Sequence, residues 1–186
     1  MIIYVTRHGQ TDWNLIDRLQ GITDNELNDE GIKQARKKQE DLKNENIDLI
    51  ICSTLKRARQ TAEIINDGRE IQIIYDEDIQ ERNYGEFEGL KNEDCNLRDF
   101  WDYEKNLEYP VAESVRQFFD RVYSFLDRIK KEYADKKILI VAHAGVSIAI
   151  DCYFNGISDA SGLLEMALDN CEVRKFEIKG GASGKV

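Results

Sequence analysis

Two histidines are the only imidazole side chains in this chain of 186 residues, and each follows a short apolar run. His8 follows residues 1–6 after one intervening residue, Arg7, and His143 comes directly after residues 138–142. Both runs have the length and the β-branched composition of buried strands. Because ligands bind at the carboxyl ends of parallel strands, we expect the two imidazoles to lie at one edge of a sheet. Either histidine taken alone would more often have a structural role.

Arginine side chains are expected near both histidines. Arg7 precedes His8, and Arg57 and Arg59 lie near the start of a helix predicted after the second strand. A guanidinium group donates two hydrogen bonds to a phosphate, and a helix N-terminus near Leu55 would add backbone N–H donors. Arg59 fits a solvent-facing helix surface better. The residues therefore predict an anion site.

Transfer of a phosphoryl group to imidazole requires a neutral ring nitrogen, positive charge around the phosphoryl oxygens and an acid for the leaving oxygen. Glu81, Glu86 and Glu88 lie in one turn-rich segment and are the candidates for this acid. The residue types alone do not show which of the three glutamates is the acid. We expect two of the three to face solvent.

Alternating strands and helices must position these residues. The apolar runs predict strands at 1–6, 49–52, 71–75 and 138–142, and an edge-like strand at 172–178. Helices are predicted at 28–43 with Asn28 as N-cap, from Ser53 or Thr54 to 66, along an apolar stripe at 115–129, and at 146–154. This order predicts an α/β fold: a three-layer αβα sandwich with a mostly parallel central sheet and helices on both faces.

Residues 76–110 interrupt this order. We predict one domain over residues 1–179 with a loop-rich cap insertion at about 82–112, followed by a disordered tail at 180–186. The insertion is rich in aromatic residues, namely Phe87, Phe100, Trp101, Tyr103 and Tyr109. These rings either line a cap that accepts an apolar or ring-bearing leaving group or form a small core of their own, and the sequence favours neither.

Composition limits the partners. Lys plus Arg is 26 and Asp plus Glu is 36, which gives a net charge of −10. Such a surface repels nucleic acid and favours small monoesters over polyanions. The longest nearly uncharged run, 138–150, is too short to cross a membrane, and the N-terminus does not resemble a signal peptide. We expect a cytoplasmic protein without membrane or nucleic-acid partners. Its four cysteines have no C-x-x-C spacing, which predicts buried thiols.

Several segments resemble the motifs of one family. Residues 7–14 read RHGQTDWN, residues 53–62 read STLKRARQTA and residues 81–89 read ERNYGEFEG. In this order they are similar to the motifs of the histidine phosphatase superfamily, in its phosphoglycerate mutase-like branch. Residues 21–35, 110–114 and 141–145 are also similar, although Glu26, Asn28, Ala112 and Ala144 replace the usual Pro, Thr, Gly and Gly. The resemblance covers about residues 6–145.

The resemblance implies a mechanism. His8 would attack phosphorus, and Arg7, Arg57 and a protonated His143 would hold the phosphoryl oxygens. Glu81 would donate the proton to the leaving group. The family pattern also implies further contacts to the phosphate and no metal or cofactor. The substrate-binding residues that it implies are Asn14, Gln20, Gly21 and the backbone amide of Ala144.

The predicted function is that of a metal-independent phosphomonoesterase for a small metabolite, similar to alpha-ribazole phosphatase or to broad-specificity phosphatases. A cofactor-dependent phosphoglycerate mutase is the alternative. In the mutases a longer segment supplies basic residues, whereas the mixed charge between Glu88 and Glu113 would hold a bisphosphate poorly. A catalytically silent phosphate-binding module is disfavoured, since every catalytic side chain is present. The oligomeric state is left open, with a homodimer as one option.

Overall fold

A five-stranded sheet forms the centre of the protein, for which a computed structural model describes residues 1–157 and 159–178. The strands run in the order β3-β2-β4-β1-β5. The first four are mutually parallel, and β5 pairs antiparallel with β1 at one edge. The strands are β1 (Ile2–Arg7), β2 (Leu49–Ser53), β3 (Ile73–Asp76), β4 (Lys137–Ala142) and β5 (Val173–Glu177). The predicted mostly parallel sheet is confirmed, and the predicted tail at 180–186 lies outside the described residues.

Helices cover both faces of the sheet. They are α1 (Asp12–Leu15), α2 (Asp29–Asp41), α3 (Lys56–Asn66), α4 (Leu97–Phe100), α5 (Val115–Glu132) and α6 (Ala144–Asn155). Successive side chains on a strand point to opposite faces, so Ile50 belongs to a core with α3, whereas Ile51 belongs to a core with α5 and α6. Helix α2 packs against α3. This arrangement confirms the three-layer αβα sandwich. None of the helices in the described ranges is long and apolar enough to span a membrane.

The long helices begin where polar side chains satisfy their first N–H groups. Asn28 accepts a hydrogen bond from the Gly31 N–H at 2.9 Å and caps α2, as predicted. Ser114 caps α5 through a reciprocal pair of hydrogen bonds with Gln117. The seven buried residues of α5 share one stripe, which is the apolar face that the sequence predicts.

The start of α3 differs from the prediction. Neither Ser53 nor Thr54 caps this helix, whose N-cap position is Leu55. The Lys56 N–H donates instead to Asp24 Oδ1 at 2.6 Å, so a distant loop supplies the acceptor. The helix predicted at 146–154 also differs, because α6 begins two residues earlier, at Ala144.

The predicted cap, residues 82–112, consists of short helical turns, α4 and loops. Its rings of Phe87, Phe100 and Tyr109 pack together, with centroids 4.5–5.2 Å apart. Tyr103 packs against Phe119 of α5 at 5.2 Å. All five predicted cap aromatics therefore make core contacts, and Trp101, which packs against Phe118 of α5 at 5.9 Å, is the one of the five that also lines the cavity described below.

The four cysteines are free thiols in separate places. Cys52, Cys152 and Cys171 are buried, as predicted, whereas Cys95 in the cap is only half-buried. Burial raises the pKa of the Cys152 thiol to about 11, so this group is protonated at neutral pH.

Candidate active site

The ends of β1, β2 and β4 bring His8, Ser53 and His143 together. These strands are neighbours in the sheet and parallel, so their carboxyl ends lie side by side. The backbone N–H of His8 donates to Ala142 O at 2.9 Å. The centroids of the two imidazole rings lie 5.2 Å apart. The expectation that both imidazoles lie at one edge of the sheet agrees with this geometry.

His8 has a defined hydrogen-bonding pattern. Its Nδ1 lies 2.7 Å from Gly9 O, and because a carbonyl can only accept, Nδ1 carries the proton. The lone pair of Nε2 then faces the Nε–H of Arg57, which donates to it at 3.2 Å. Burial, followed by the charges of Arg57 and Arg7, lowers the pKa of His8 well below 6.5. The ring is therefore neutral near pH 7, with an unprotonated nitrogen, Nε2, that can act as a nucleophile.

Arg57 is a fully buried cation with a fixed orientation. It donates from Nη1 to Thr23 O at 2.8 Å and from Nη2 to Gly21 O at 2.7 Å. The Gln20 side-chain oxygen accepts from its Nε at 2.8 Å when the Gln20 nitrogen faces Thr11. Burial lowers the pKa of Arg57 to about 10, which leaves it charged at neutral pH.

Glu88 holds the loop that orients Arg57. Its carboxylate accepts from the N–H groups of Ile22 and Thr23 at 2.9 and 2.8 Å, and from Tyr84 N–H at 3.2 Å. A Cβ on Gly21 would lie 2.2 Å from Glu88 Oε1, so this close approach requires glycine. Two of the three candidate glutamates were predicted to face solvent, but only Glu86 is exposed, because Glu88 is used to bind backbone.

Arg7 supplies the second guanidinium group. Its Nη1 donates to Leu168 O at 3.1 Å, while its buried Nε has no partner within the described residues. Burial lowers its pKa, and the carboxyl of Glu81 acts in the opposite direction. An unpartnered, buried donor beside His8 is suited to an anionic ligand.

Glu81 is the acidic side chain at the site. It is only 5% exposed, and it accepts from Arg82 N–H at 2.9 Å and from Gly145 N–H at 3.1 Å. Burial raises its pKa above the ordinary 4.5, although these hydrogen bonds and the charges of Arg57 and Arg7 oppose the shift. A buried carboxyl with a raised pKa is suited to general acid catalysis.

A cavity of about 150 Å³ lies in front of His8. Six of the nine predicted site residues line it, namely Arg7, His8, Asn14, Gln20, Glu81 and Ala144. Arg57 and His143 are fully buried and lie next to His8, and Gly21 contacts Arg57 through its carbonyl. The structure therefore brings all nine together, although three of them do not line the cavity.

The sequence reasoning did not identify several residues of this site. The cavity is also lined by Arg18, Tyr84 and Asn92 among others. Asn170, which lies just before β5, donates from Nδ2 to His8 O at 2.9 Å. Its partner is a backbone atom, so no pairing of chemically reactive residue types could have revealed it.

Comparison with known proteins agrees with this geometry. The model of the histidine phosphatase superfamily, branch 1, matches residues 3–185. The chain belongs to the histidine phosphatase superfamily. Membership confirms the family resemblance and the prediction of a phosphomonoester hydrolase of the histidine phosphatase type.

Relatives of this histidine phosphatase carry both phosphatase and mutase names. The "Uncharacterized phosphatase PhoE" of Bacillus subtilis is 34% identical, over 98% of this chain and 97% of its own. "Probable phosphoglycerate mutase GpmB" of Escherichia coli O1:K1 is 30% identical, over 95% of this chain and 85% of its own. Among solved structures, a mutant phosphoserine phosphatase from Entamoeba histolytica in complex with phosphoserine has a TM-score of 0.84 and 26% identity, covering 97% of this chain and 92% of that one.

Proposed function

We propose that this histidine phosphatase is a metal-independent phosphomonoesterase that forms a phosphohistidine on His8. The hydrogen bond between His8 Nδ1 and Gly9 O at 2.7 Å carries the proposal. It places the ring proton on Nδ1, so the lone pair needed for attack on phosphorus is on Nε2.

In the first step, His8 Nε2 forms a bond to phosphorus while the bond from phosphorus to the ester oxygen breaks. Glu81, which lines the same cavity, gives its proton to the departing oxygen. The raised pKa of Glu81 supports this role, because the group must be protonated when the substrate arrives. The alcohol then leaves and Glu81 is ionised.

In the second step, water attacks the phosphohistidine. Ionised Glu81 takes a proton from this water as the bond between phosphorus and Nε2 breaks, and inorganic phosphate is released. His8 returns to its neutral form and Glu81 returns to its acid form. One carboxyl therefore serves both half-reactions.

Arg7 and Arg57 supply the positive charge that phosphoryl transfer requires. Arg57 is fully buried and Arg7 is partly buried, and the buried Arg7 Nε is a donor without a protein partner in the described ranges. In a buried site such fixed charges interact more strongly with a phosphoryl group than they would in water. These groups support a reaction that uses side chains in place of a metal ion.

The cavity favours a compact leaving group. Its volume of about 150 Å³ is smaller than the roughly 300–1,000 Å³ of sites for drug-sized ligands. Small phosphorylated metabolites therefore fit better than alpha-ribazole phosphate, which has a bulky ring-bearing leaving group. Among the described residues, Arg18 is the one basic side chain along this cavity besides Arg7. A bisphosphate would thus meet little additional positive charge, which favours a phosphatase over a mutase.

The proposal is tested by following phosphate release from p-nitrophenyl phosphate in the presence of EDTA. The substrate panel adds phosphoserine, alpha-ribazole phosphate, and 3-phosphoglycerate together with 2,3-bisphosphoglycerate. His8→Ala is the matched variant, and rapid quenching of the wild type traps the phosphoenzyme. We expect release that EDTA does not reduce, that His8→Ala abolishes and that is fastest with a compact ester.

Other results would contradict the proposal. Isomerisation of the phosphoglycerate without net phosphate release would identify a mutase. Phosphate release that continues in His8→Ala would exclude this nucleophile. Inactivity toward the whole panel, with phosphate still bound, would favour a phosphate-binding module.

A further inference from the structure

Ser53 and His143 form a buried pair next to the nucleophile. The Ser53 hydroxyl oxygen lies 2.7 Å from His143 Nε2, and neither side chain is accessible to solvent. Ser53 ends β2 and His143 follows β4, its neighbour in the sheet. The contact therefore depends on the sheet and not on a flexible loop.

Counting donors and acceptors gives the direction of this hydrogen bond. Ser53 Oγ accepts the Leu55 N–H at 3.4 Å, and its own proton needs an acceptor. Within residues 1–157 and 159–178, the acceptor that this hydroxyl proton can reach is His143 Nε2. A proton on Nε2 would leave the buried hydroxyl without an acceptor, which costs free energy. Ser53 therefore donates and Nε2 accepts.

This direction places the proton of the neutral ring on Nδ1. His143 Nδ1 is buried and has no hydrogen-bond partner in the described part of the chain. The His143 ring is 5.2 Å from that of His8, the proposed nucleophile. An unpartnered N–H on a ring next to the nucleophile is suited to donate to a phosphoryl oxygen held there.

The surroundings of His143 disfavour a second proton on its ring. Arg7 and His8 face it from the end of β1, Arg57 faces it from α3, and Arg121 acts on it from α5. Burial is the largest influence, and together with these groups it lowers the pKa of His143 well below 6.5. The family resemblance implied a protonated His143, whereas this environment favours a neutral one.

We propose that Ser53 is a positioning residue that fixes His143 as a neutral Nδ1–H donor to the phosphoryl group. The inference rests on the proposed function, since it assigns His143 a role in the same reaction. Positive charge at the site then comes from the two arginines, and His143 contributes one hydrogen bond of fixed direction. Ser53 acts through His143 and does not itself touch the substrate.

Nitrogen-15 NMR of the histidine side chains tests this proposal directly. The chain has two histidines, so a spectrum of His8→Ala assigns both rings. We expect His143 in the wild type to have a protonated Nδ1 and an unprotonated Nε2 over about pH 5.5–8, the range in which an ordinary histidine titrates. The same form should persist when orthovanadate occupies the phosphate site.

Variants at Ser53 supply the second readout. In Ser53→Ala we expect a mixture of the two neutral forms of His143 and a vanadate affinity that is weaker by about tenfold, equal to about 1.4 kcal/mol. Ser53→Thr keeps a hydroxyl and should restore most of the affinity. Ser147→Ala is the matched control, because it removes a buried hydroxyl that contacts Ala144 O and Leu168 N but neither histidine. It should leave the His143 tautomer unchanged.

A protonated Nε2 in the wild type, free or with vanadate, would overturn the proposal. So would an unchanged His143 tautomer in Ser53→Ala. These outcomes are distinct from failure of the proposed function, which would show as absent phosphate release by the wild type whatever the NMR result.

Discussion

Glu81 Oε2 accepts the backbone N–H of Gly145 at 3.1 Å, which links the acid on the loop after β3 to the first turn of α6. A Cβ at position 145 would lie 2.3 Å from Glu81 Oε1 and 2.7 Å from the Trp101 ring. The acid, the glycine and the cap therefore meet at one point beside His143. Burial at this point keeps the Glu81 carboxyl protonated at a higher pH than usual.

Replacement of the acid is expected to depend on the leaving group. Glu81→Gln cannot donate a proton, so kcat/KM for alkyl phosphates, which reports formation of the phosphoenzyme and not its hydrolysis, should fall by about 10²- to 10⁴-fold. The loss should be much smaller with p-nitrophenyl phosphate, whose leaving oxygen is stabilised by its ring. Steady-state kinetics with both esters measure this difference. Glu86→Gln, at an exposed neighbouring position, is the control. Equal losses with both esters would argue against Glu81 as the acid.

The pH dependence of kcat should follow the shifted pKa values. The lowered pKa of His8 keeps the nucleophile neutral as pH falls below 6.5, so kcat should decline only well below that value. The raised pKa of Glu81 keeps it protonated above pH 4.5, and the rate of the first step should fall as pH rises through that shifted value. Saturating substrate removes the ionisation of the ester from the profile. An acid limb centred near 6.5 would contradict this assignment.

Glu88 is expected to keep Arg57 in its orientation without contacting the substrate. Glu88→Ala leaves the Ile22 and Thr23 N–H groups without their acceptor and should lower the free energy of unfolding by about 1–3 kcal/mol. The loop that holds Arg57 should loosen, so inhibition by orthovanadate should weaken. Denaturant unfolding and vanadate titration measure the two effects. Glu86→Ala, two residues away and exposed, should change neither by more than experimental error.

The two cap aromatics Phe100 and Trp101 should behave differently. Phe100 stacks on Tyr109 at 4.5 Å, whereas Trp101 lines the cavity. Phe100→Leu should lower the melting temperature and preserve the ratio of kcat/KM values between large and small esters. Trp101→Leu should change that ratio in favour of larger leaving groups. An unchanged ratio in Trp101→Leu would mean that this ring does not contact the leaving group.

Local sequence patterns were enough to predict much of the fold and the location of the site. Four short, continuous apolar runs were enough to place four parallel strands, since β-branched segments of about four to six residues are typical of strands buried in a sheet. The apolar stripe of α5 identified that helix for the same reason. The positions of His8 and His143 after two of these strands were enough to predict one shared site, because parallel strands end together. The motifs then selected Glu81 among three glutamates.

Tertiary structure alone decided how these groups are held. Asp24 reaches Lys56 at the start of α3, Glu88 supports the loop under Arg57, and Ser53 meets His143 across two strands. Each pair joins residues that are far apart in the chain, so no local periodicity or cap preference encodes it. The protonation states also depend on burial, which exists only once the chain has packed. The sequence therefore determined which side chains are present at the site, and packing decided their orientation, charge and proton positions.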